Sequence, residues 1–293
     1  MDDLQISSPA KINLFLEVIA RRPDGYHEIE SVMQIVDLCD HVRLSRRARG
    51  IELCVSGEEV IAGPENLAYR AAALVMESAG LRAGVRIDLE KRIPVSGGLG
   101  GGSSNAAAVL AGINRLFGLR YSGEDLQGLA ARLGSDVPFF LSDGLALATG
   151  RGEVLSPIRP LWAHEWVVIA NPRVPVSTAW AYREASSKLT EWGRRASIQA
   201  LIESGSLAWP PVWAFNRLEA VVLPHRPEVR ALKDLLEAGG GAPALMSGSG
   251  GSVFAVVPDA ATGEALATQV RAGGGFAALV TTLPKNPILA AME

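Results

Sequence analysis

A glycine-rich segment lies between a strand-like and a helix-like stretch of the sequence. It reads Pro94-Val95-Ser96-Gly97-Gly98-Leu99-Gly100-Gly101-Gly102-Ser103-Ser104. Glycines let a ligand approach the backbone closely, and the helix predicted to begin at Ser103 directs unpaired N–H groups and its positive dipole end at the loop. Phosphate is the ligand that such an arrangement favours. The segment therefore predicts a phosphate-binding loop.

Two common nucleotide motifs do not fit this loop. Gly97 and Gly102 have the spacing of a Walker A motif, but Ser103 stands where that motif requires lysine. A dinucleotide fingerprint fails because Ser103 occupies the position of its third glycine. A flexible connection is the alternative, although so many glycines beside a helix are costly unless the backbone must approach a ligand.

Two charged residues have the chemistry for phosphoryl transfer to an alcohol. Lys11 lies beside Asn13 on the polar face of the first predicted strand, where a solvated lysine is the alternative. Asp136 lies in a short turn between Gly134 and Pro138, where its alternative role is to cap a helical turn. A carboxylate can accept the proton of a hydroxyl, and a lysine can stabilise developing negative charge. From these residues alone both roles stay open.

The elements that must position these residues are strands and helices in mixed order. Alternation from Ala10 to Val18 predicts a strand with one buried face, and Pro23-Asp24-Gly25 predicts a turn into a second strand over 26–38. Further strands are predicted over 85–89, 145–149, 166–170 and 252–257, and helices over 66–79, 103–117, 122–133, 178–189 and 227–237. Without strict βαβ alternation, the pattern favours an α+β fold. We place a domain boundary between residues 157 and 158.

Composition excludes several classes of protein. The chain has 293 residues, of which 48% are hydrophobic and 20% charged, so intrinsic disorder is excluded as its main character. A net charge of -3 argues against nucleic-acid binding. The first residues do not resemble a signal peptide, and no apolar run is long enough to span a membrane. Two cysteines without zinc or disulfide spacing fit a reducing cytoplasm, where we expect a soluble protein.

Several segments together resemble a known family. The stretch from Pro94 to Ala107 is similar to the phosphate-binding motif of the small-molecule kinases that include galactokinase, homoserine kinase, mevalonate kinase and phosphomevalonate kinase, the GHMP kinases. Three further segments narrow the resemblance: Pro9-Ala10-Lys11-Ile12-Asn13-Leu14, Arg22-Pro23-Asp24-Gly25-Tyr26-His27-Glu28 and Gly134-Ser135-Asp136-Val137-Pro138-Phe139-Phe140. They resemble the branch that phosphorylates the 2-hydroxyl of a methylerythritol carried on cytidine diphosphate, in the non-mevalonate isoprenoid route.

The resemblance implies a two-lobed α+β fold. Its amino-terminal lobe, residues 1–157, is expected to bind ATP, to carry catalysis and to be similar in fold to a ribosomal protein domain. Its ferredoxin-like carboxy-terminal lobe, residues 158–293, is expected to close over the substrate. The resemblance also implies that Lys11 and Asp136 are catalytic, with Asp136 as the base, and that ATP and Mg²⁺ are required. No carboxylate identifies itself as a metal ligand.

The resemblance also carries binding roles over to single residues. The expected ATP contacts are Asn66 and Lys91, which flank the adenine, and the loop residues Pro94, Gly97, Gly98, Leu99, Gly100, Gly101, Gly102, Ser103 and Ser104. The expected substrate contacts are Asn13, Tyr26, His27, Tyr182, Gly248 and Ser249. His27 is expected to bind the cytosine edge and Tyr182 to stack on the base, with Trp180 as the alternative aromatic.

The expected partner is a small molecule that carries a cytidine diphosphate group, with no nucleic acid and no membrane involved. The oligomeric state stays open. Two alternatives differ in function: another GHMP-type kinase of the sugar, homoserine or mevalonate class, and a non-catalytic RNA-binding module. The first has no use for the Tyr26-His27 pair, and the second lacks a lysine- or arginine-rich tract.

Overall fold

Seven strands form the first β-sheet. They are β1 (Asp3–Arg21), β2 (His27–Arg47), β3 (Ile51–Gly57), β4 (Gly84–Lys91), β5 (Leu145–Thr149), β6 (Val154–Pro157) and β8 (Phe215–Asn216). A computed structural model describes residues 3–58, 61–159, 162–192, 197–205 and 207–292. The sheet order is β3-β4-β2-β1-β8, with β5 between β2 and β6. The long β1–β2 hairpin is antiparallel, and the predicted Pro23-Asp24-Gly25 turn joins its strands.

Four antiparallel strands form the second sheet. They are β7 (Trp166–Asn171), β9 (Ala244–Met246), β10 (Val253–Val256) and β11 (Phe276–Thr281), in the order β11-β7-β10-β9. The short strand β8 belongs to the same half of the sequence as these four strands, but it pairs in parallel with β1 of the first sheet, where Leu16 lies opposite Asn216. The Asn216 side chain also donates to the Met246 carbonyl of β9 at 2.6 Å, so β8 connects the two sheets. The predicted boundary between residues 157 and 158 stays a prediction.

Eight α-helices pack on the sheets in the described part of the chain. They are α1 (Leu67–Ser78), α2 (Gly101–Phe117), α3 (Gly123–Leu133), α4 (Thr178–Trp192), α5 (Gln199–Glu203), α6 (Glu219–His225), α7 (Pro227–Ala238) and α8 (Ala260–Ala272), with short 3₁₀ helices at Pro138–Leu141 and Leu289–Ala291. Ser122 and Asp125 form a capping box at the start of α3. The mixture of strands and helices confirms the α+β class. Within the described residues, no helix has the length and apolar character needed to cross a membrane.

The predicted single buried face of β1 is wrong, because both faces of this strand are covered. Ile12 and Leu14 contribute to an apolar cluster between the sheets, together with Ile169 of β7. On the other face Lys11 and Asn13 are only 3% and 4% exposed. The alternation holds from Ala10 to Leu14, but a bulge between Asn13 and Phe15 then shifts the register, so Phe15 joins the cluster of Ile12 while Leu16 and Val18 belong to another. Residues of the glycine-rich loop and of the segment Ser247 to Ser252 cover the face that carries Lys11 and Asn13.

Candidate active site

The glycine-rich loop ends directly at the amino terminus of α2. Gly98 and Gly100 have φ values of 73° and 70°, a region that favours glycine. The helix begins at Gly101, two residues before the predicted start, and its first hydrogen bond runs from the Ser104 N–H to the Gly100 carbonyl, at 2.9 Å. The amides of residues 101–103 therefore precede the helical hydrogen-bond ladder and are available to an anion.

A cleft of about 1170 Å³ opens above this helix end. Its lining contains ten of the residues predicted to contact ATP: Asn66, Lys91, Pro94, Gly97, Gly98, Leu99, Gly100, Gly101, Gly102 and Ser103. Ser104 does not join them, because its side chain is fully buried and its Oγ accepts a hydrogen bond of 2.7 Å from Ser8. Ser103 therefore lines the cleft, as does Ser96 of the same loop, whereas the Ser104 hydroxyl lies inside the protein.

A buried polar network supports the loop from below. The Lys91 Nζ donates to Asp40 and, at 3.1 Å, to Asn105 Oδ1. The other oxygen of Asp40 accepts the backbone N–H groups of Arg92 and Ile93, at 2.7 and 2.9 Å. A Cβ placed on Gly101 would lie 3.1 Å from the Lys91 Nζ, so this charge lies directly under the first residue of α2. The Lys91 ammonium group is thus engaged inside the protein. Its contact with adenine stays a prediction.

A second glycine-rich loop, Ser247 to Ser252, packs against the first. The Ser247 Oγ donates to the Gly98 carbonyl at 3.0 Å, and the Ser252 N–H donates to the Gly97 carbonyl at 3.2 Å. The buried amide of Asn216 donates to the carbonyl of Gly248 at 2.8 Å, so β8 holds the second loop beside β1. The two loops, about 150 residues apart in the sequence, form one surface.

Lys11 and Asp136 meet where the two loops approach each other. Their Nζ and Oδ2 atoms are 3.6 Å apart, and the Lys11 Nζ also donates to Asn13 Oδ1 at 2.7 Å and to the Gly98 carbonyl at 2.9 Å. Burial lowers the pKa of Lys11, and the Asp136 carboxylate opposes that shift. Asn13 thus lies behind Lys11 and binds Ser31 at 2.8 Å. It supports the lysine from the protein side.

The alternative role of Asp136 as a helix cap has no counterpart in the hydrogen bonds of this turn. The 3₁₀ helix at Pro138–Leu141 has Val137 at its N-cap, without a side-chain capping bond. The Asp136 side chain is 39% exposed and lines a second cleft. A carboxylate that is accessible to a ligand and paired with a buried lysine can accept a proton from a bound hydroxyl.

The second cleft, of about 1000 Å³, contains the residues predicted to read the base. Tyr26, His27 and Tyr182 line it, and so do Gly248 and Ser249. The rings of His27 and Tyr182 have centroids 5.3 Å apart, and burial followed by the nearby charge of Arg21 lowers the pKa of His27. Trp180, the alternative aromatic, instead packs edge-on against the ring of His225.

Sequence reasoning missed several residues that shape these clefts. Asp40 lies in the buried network, Thr178 lines both clefts, and Arg151 and Ser186 line the second. Ser186 binds the His27 ring through its Oγ. A signal existed only for Arg151, a cation between Gly150 and Gly152 just after a predicted strand.

Comparison with known proteins agrees with this arrangement. The family model described as the GHMP kinases N terminal domain matches residues 66–144, and the one described as GHMP kinases C terminal matches residues 194–275. The chain is 41% identical over 284 residues to the 4-diphosphocytidyl-2-C-methyl-D-erythritol kinase of Geobacter sulfurreducens, an alignment that covers 97% of this chain and 100% of that protein. It is 43% identical to the kinase of the same name from Symbiobacterium thermophilum, with 96% and 100% covered.

A solved structure extends the similarity to three dimensions. The crystal structure of a 4-(cytidine 5'-diphospho)-2C-methyl-D-erythritol kinase superimposes with a TM-score of 0.80 at 37% identity and covers 95% of this chain and 99% of that one. Homoserine kinase from Cytophaga hutchinsonii, at 19% identity and a TM-score of 0.67, shares the fold. Since identity above 40% extends over nearly the whole of both chains, this chain belongs to the 4-diphosphocytidyl-2-C-methyl-D-erythritol kinase family within the GHMP kinases.

Proposed function

We propose that the protein transfers the γ-phosphoryl group of ATP to the 2-hydroxyl of 4-(cytidine 5'-diphospho)-2-C-methyl-D-erythritol. The observation that carries this proposal is the meeting of the two clefts. Both are lined by Gly98, Gly100 and Thr178, and the Lys11–Asp136 pair lies at that shared wall. A phosphate donor in the first cleft and an alcohol in the second would thus meet at a base and a cation.

Each group has one task in the transfer. Asp136 orients the substrate hydroxyl and accepts its proton as the oxygen attacks the γ-phosphorus and the bond to the β-phosphate oxygen breaks. Lys11 stabilises the negative charge on the transferring group, and the loop amides of residues 101–103 hold the phosphates of ATP. Phosphoryl transfer needs positioning and charge neutralisation more than covalent catalysis, so this set of groups suffices.

Mg²⁺ is proposed to be held mainly by the phosphates of ATP and by water. The described residues contain no group of three or more His, Cys, Asp or Glu side chains arranged to bind a metal. Mg²⁺ commonly uses few protein ligands when phosphates are present, and the Ser103 hydroxyl in the first cleft is a suitable hard oxygen donor. When bound, the ion neutralises charge on the phosphates.

The second cleft supports a substrate that carries a cytosine base. Aromatic side chains stack on a base, and a neutral imidazole can donate or accept one hydrogen bond at its edge. Tyr26, His27 and Tyr182 supply these groups within one cleft. In this proposal residues 1–157 form the ATP-binding and catalytic lobe, and residues 158–293 form the lobe that closes over the substrate.

The test is incubation of the protein with Mg²⁺, ATP and a panel of alcohols, with ADP measured. The panel contains the cytidine diphosphate-linked methylerythritol, its uridine analogue, homoserine, mevalonate and galactose. We expect ADP with the cytidine compound well above every other alcohol. ADP formation with homoserine, mevalonate or galactose instead would favour a different GHMP-type kinase, and none with any alcohol would refute the proposal.

A further inference from the structure

The turn at Gly150-Arg151-Gly152 lies between the two ends of the second cleft. At one end, the Arg151 Cζ lies 4.8 Å from the centroid of the Tyr26 ring. At the other, a Cβ placed on Gly152 would lie 3.8 Å from the Asp136 Oδ1. One turn of the chain thus contacts both the aromatic ring proposed for the base and the carboxylate proposed for the acceptor hydroxyl.

Several hydrogen bonds fix the position of this turn. The Gly150 carbonyl accepts the N–H of Ile29 at 2.9 Å, and the Gly150 N–H donates to Glu28 Oε1 at 3.1 Å. The Arg151 N–H donates to Glu153 Oε2 at 2.6 Å, and its Nε donates to Glu153 Oε1 at 3.2 Å. Glu153 pairs with the Nε–H, and in the described part of the chain no hydrogen bond engages the two Nη groups. Arg151 is therefore held in a defined orientation rather than moving freely in solvent.

The charge of this cleft matches a polyanionic ligand. Arg21, Arg151 and Arg183 line it, against the carboxylate of Asp136. The Arg183 side chain is 70% exposed, and its Nε lies as far as 3.9 Å from Glu184 Oε1. This long contact positions the cation only weakly. The Arg151 side chain is 30% exposed and is held by Tyr26 and Glu153. Arginine binds phosphate oxygens through parallel N–H groups, so Arg151 has both the position and the chemistry for a phosphate.

We propose that Arg151 is the anchor for the diphosphate of the cytidine-bearing substrate. This inference rests on the proposed function, because a ligand with its base at Tyr26 and its hydroxyl at Asp136 must carry the diphosphate past this turn. Arg151 then makes the cleft selective for a nucleoside diphosphate over a nucleoside with the same base. It acts in binding and takes no part in the proton transfer.

The experiment measures the affinities of cytidine, CMP and CDP by calorimetry. The first cleft is kept filled with a non-hydrolysable ATP analogue, so that CDP does not bind at the phosphate loop. In the unmodified protein we expect affinity to rise from cytidine to CDP. In Arg151→Gln we expect CDP affinity to fall about tenfold and cytidine affinity to change less than about twofold, since one charge-assisted contact is lost. Arg151→Lys keeps the positive charge but not the planar pair of N–H groups, so its affinity for CDP should fall about threefold.

Arg43→Gln is the control for a general loss of positive charge. Arg43 is 61% exposed, pairs with Asp3 at 2.6 Å and lies outside both clefts, so its removal should leave all three affinities unchanged. Equal losses for cytidine and CDP in Arg151→Gln would show that Arg151 acts only through the Tyr26 ring, and would overturn the inference. Unchanged CDP affinity would overturn it too. If the unmodified protein binds neither cytidine nor CDP, the proposed function itself fails.

Discussion

Gly98→Ala tests the contact between the two glycine-rich loops. Gly98 has a φ of 73°, and a Cβ at this position would lie 2.0 Å from the Ser247 carbonyl oxygen and 3.2 Å from the Gly250 nitrogen. Both neighbours are backbone atoms that no rotamer change can move. One loop must therefore shift by about 1 Å or more to restore an ordinary van der Waals distance.

The free energy of unfolding should fall by about 2 to 5 kcal/mol in this variant. A left-handed backbone costs an alanine about 1 to 2 kcal/mol, and displacement of a packed segment adds about 1 to 3 kcal/mol. Gly118→Ala separates the two effects. Gly118 has a φ of 63°, but a Cβ there meets nothing within 4 Å. We expect this control to lose only the backbone part, about 1 to 2 kcal/mol.

Urea denaturation of the two variants measures this difference, and turnover with ATP and the cytidine compound measures its consequence. The Gly98 carbonyl accepts hydrogen bonds from the Lys11 Nζ at 2.9 Å and the Ser247 Oγ at 3.0 Å, so a displaced loop also displaces the lysine. A misplacement of about 1 Å can cost on the order of 10²-fold in rate. Equal destabilisation of the two variants, with normal turnover in Gly98→Ala, would refute the close approach of the loops.

Three further predictions concern charges and the base. Asp136→Asn should reduce turnover by about 10² to 10⁴-fold with little change in ATP affinity by calorimetry, and a loss of less than about fivefold would exclude a base. Because burial lowers the pKa of Lys11 and Asp136 opposes this, the same variant should lose its residual activity at a lower alkaline pH than the unmodified protein, which a pH–rate profile measures. The uridine analogue should have a kcat/KM about five- to 150-fold lower than that of the cytidine compound, and His27→Ala should narrow this gap; equal values in the unmodified protein would show that the base is not read. Lys91→Met should lower the free energy of unfolding by about 3 to 5 kcal/mol, because it leaves the Asp40 carboxylate buried without its cation. The double variant Lys91→Met with Asp40→Asn should recover part of that loss. Urea denaturation measures both, and a loss below about 1 kcal/mol in Lys91→Met would contradict the pairing.

Local signals were sufficient for the helices with marked ends. Ser122 with Asp125 caps α3, as the sequence predicts. Asn66, which the prediction counted within the helix over 66–79, instead caps α1 through its side chain. The start of α2 was predicted two residues late because Gly101 and Gly102 are poor helix formers. Their helical conformation depends on the packing of the loop rather than on their own propensity.

The surroundings of the site could not be predicted from local pattern. Alternation along β1 gave the correct faces only as far as Leu14, since the pattern does not reveal the bulge before Phe15. The residues that cover Lys11 come from loops about 90 and 240 residues further along the chain. The Asp40–Lys91 pair likewise joins the adjacent strands β2 and β4, and nothing in the sequence indicates that these residues face inward together. Several strands and helices, such as β3 and α8, were also missed, although Asp259 supplies α8 with an ordinary cap signal.

The burial of Lys11 explains why the site needs both halves of the chain. A buried ammonium group interacts more strongly with a transferring phosphoryl group than a solvated one does, but burial also favours loss of its proton. Asp136, at 3.6 Å, opposes that tendency, and Asn13 Oδ1 and the Gly98 carbonyl accept hydrogen bonds from the ammonium group at 2.7 and 2.9 Å. The second loop completes the enclosure, since a Cβ on Gly248 would lie 3.3 Å from the Lys11 Nζ. Asn216 fixes Gly248 beside β1, so the amino-terminal half supplies the charged pair and the carboxy-terminal half helps to bury its lysine.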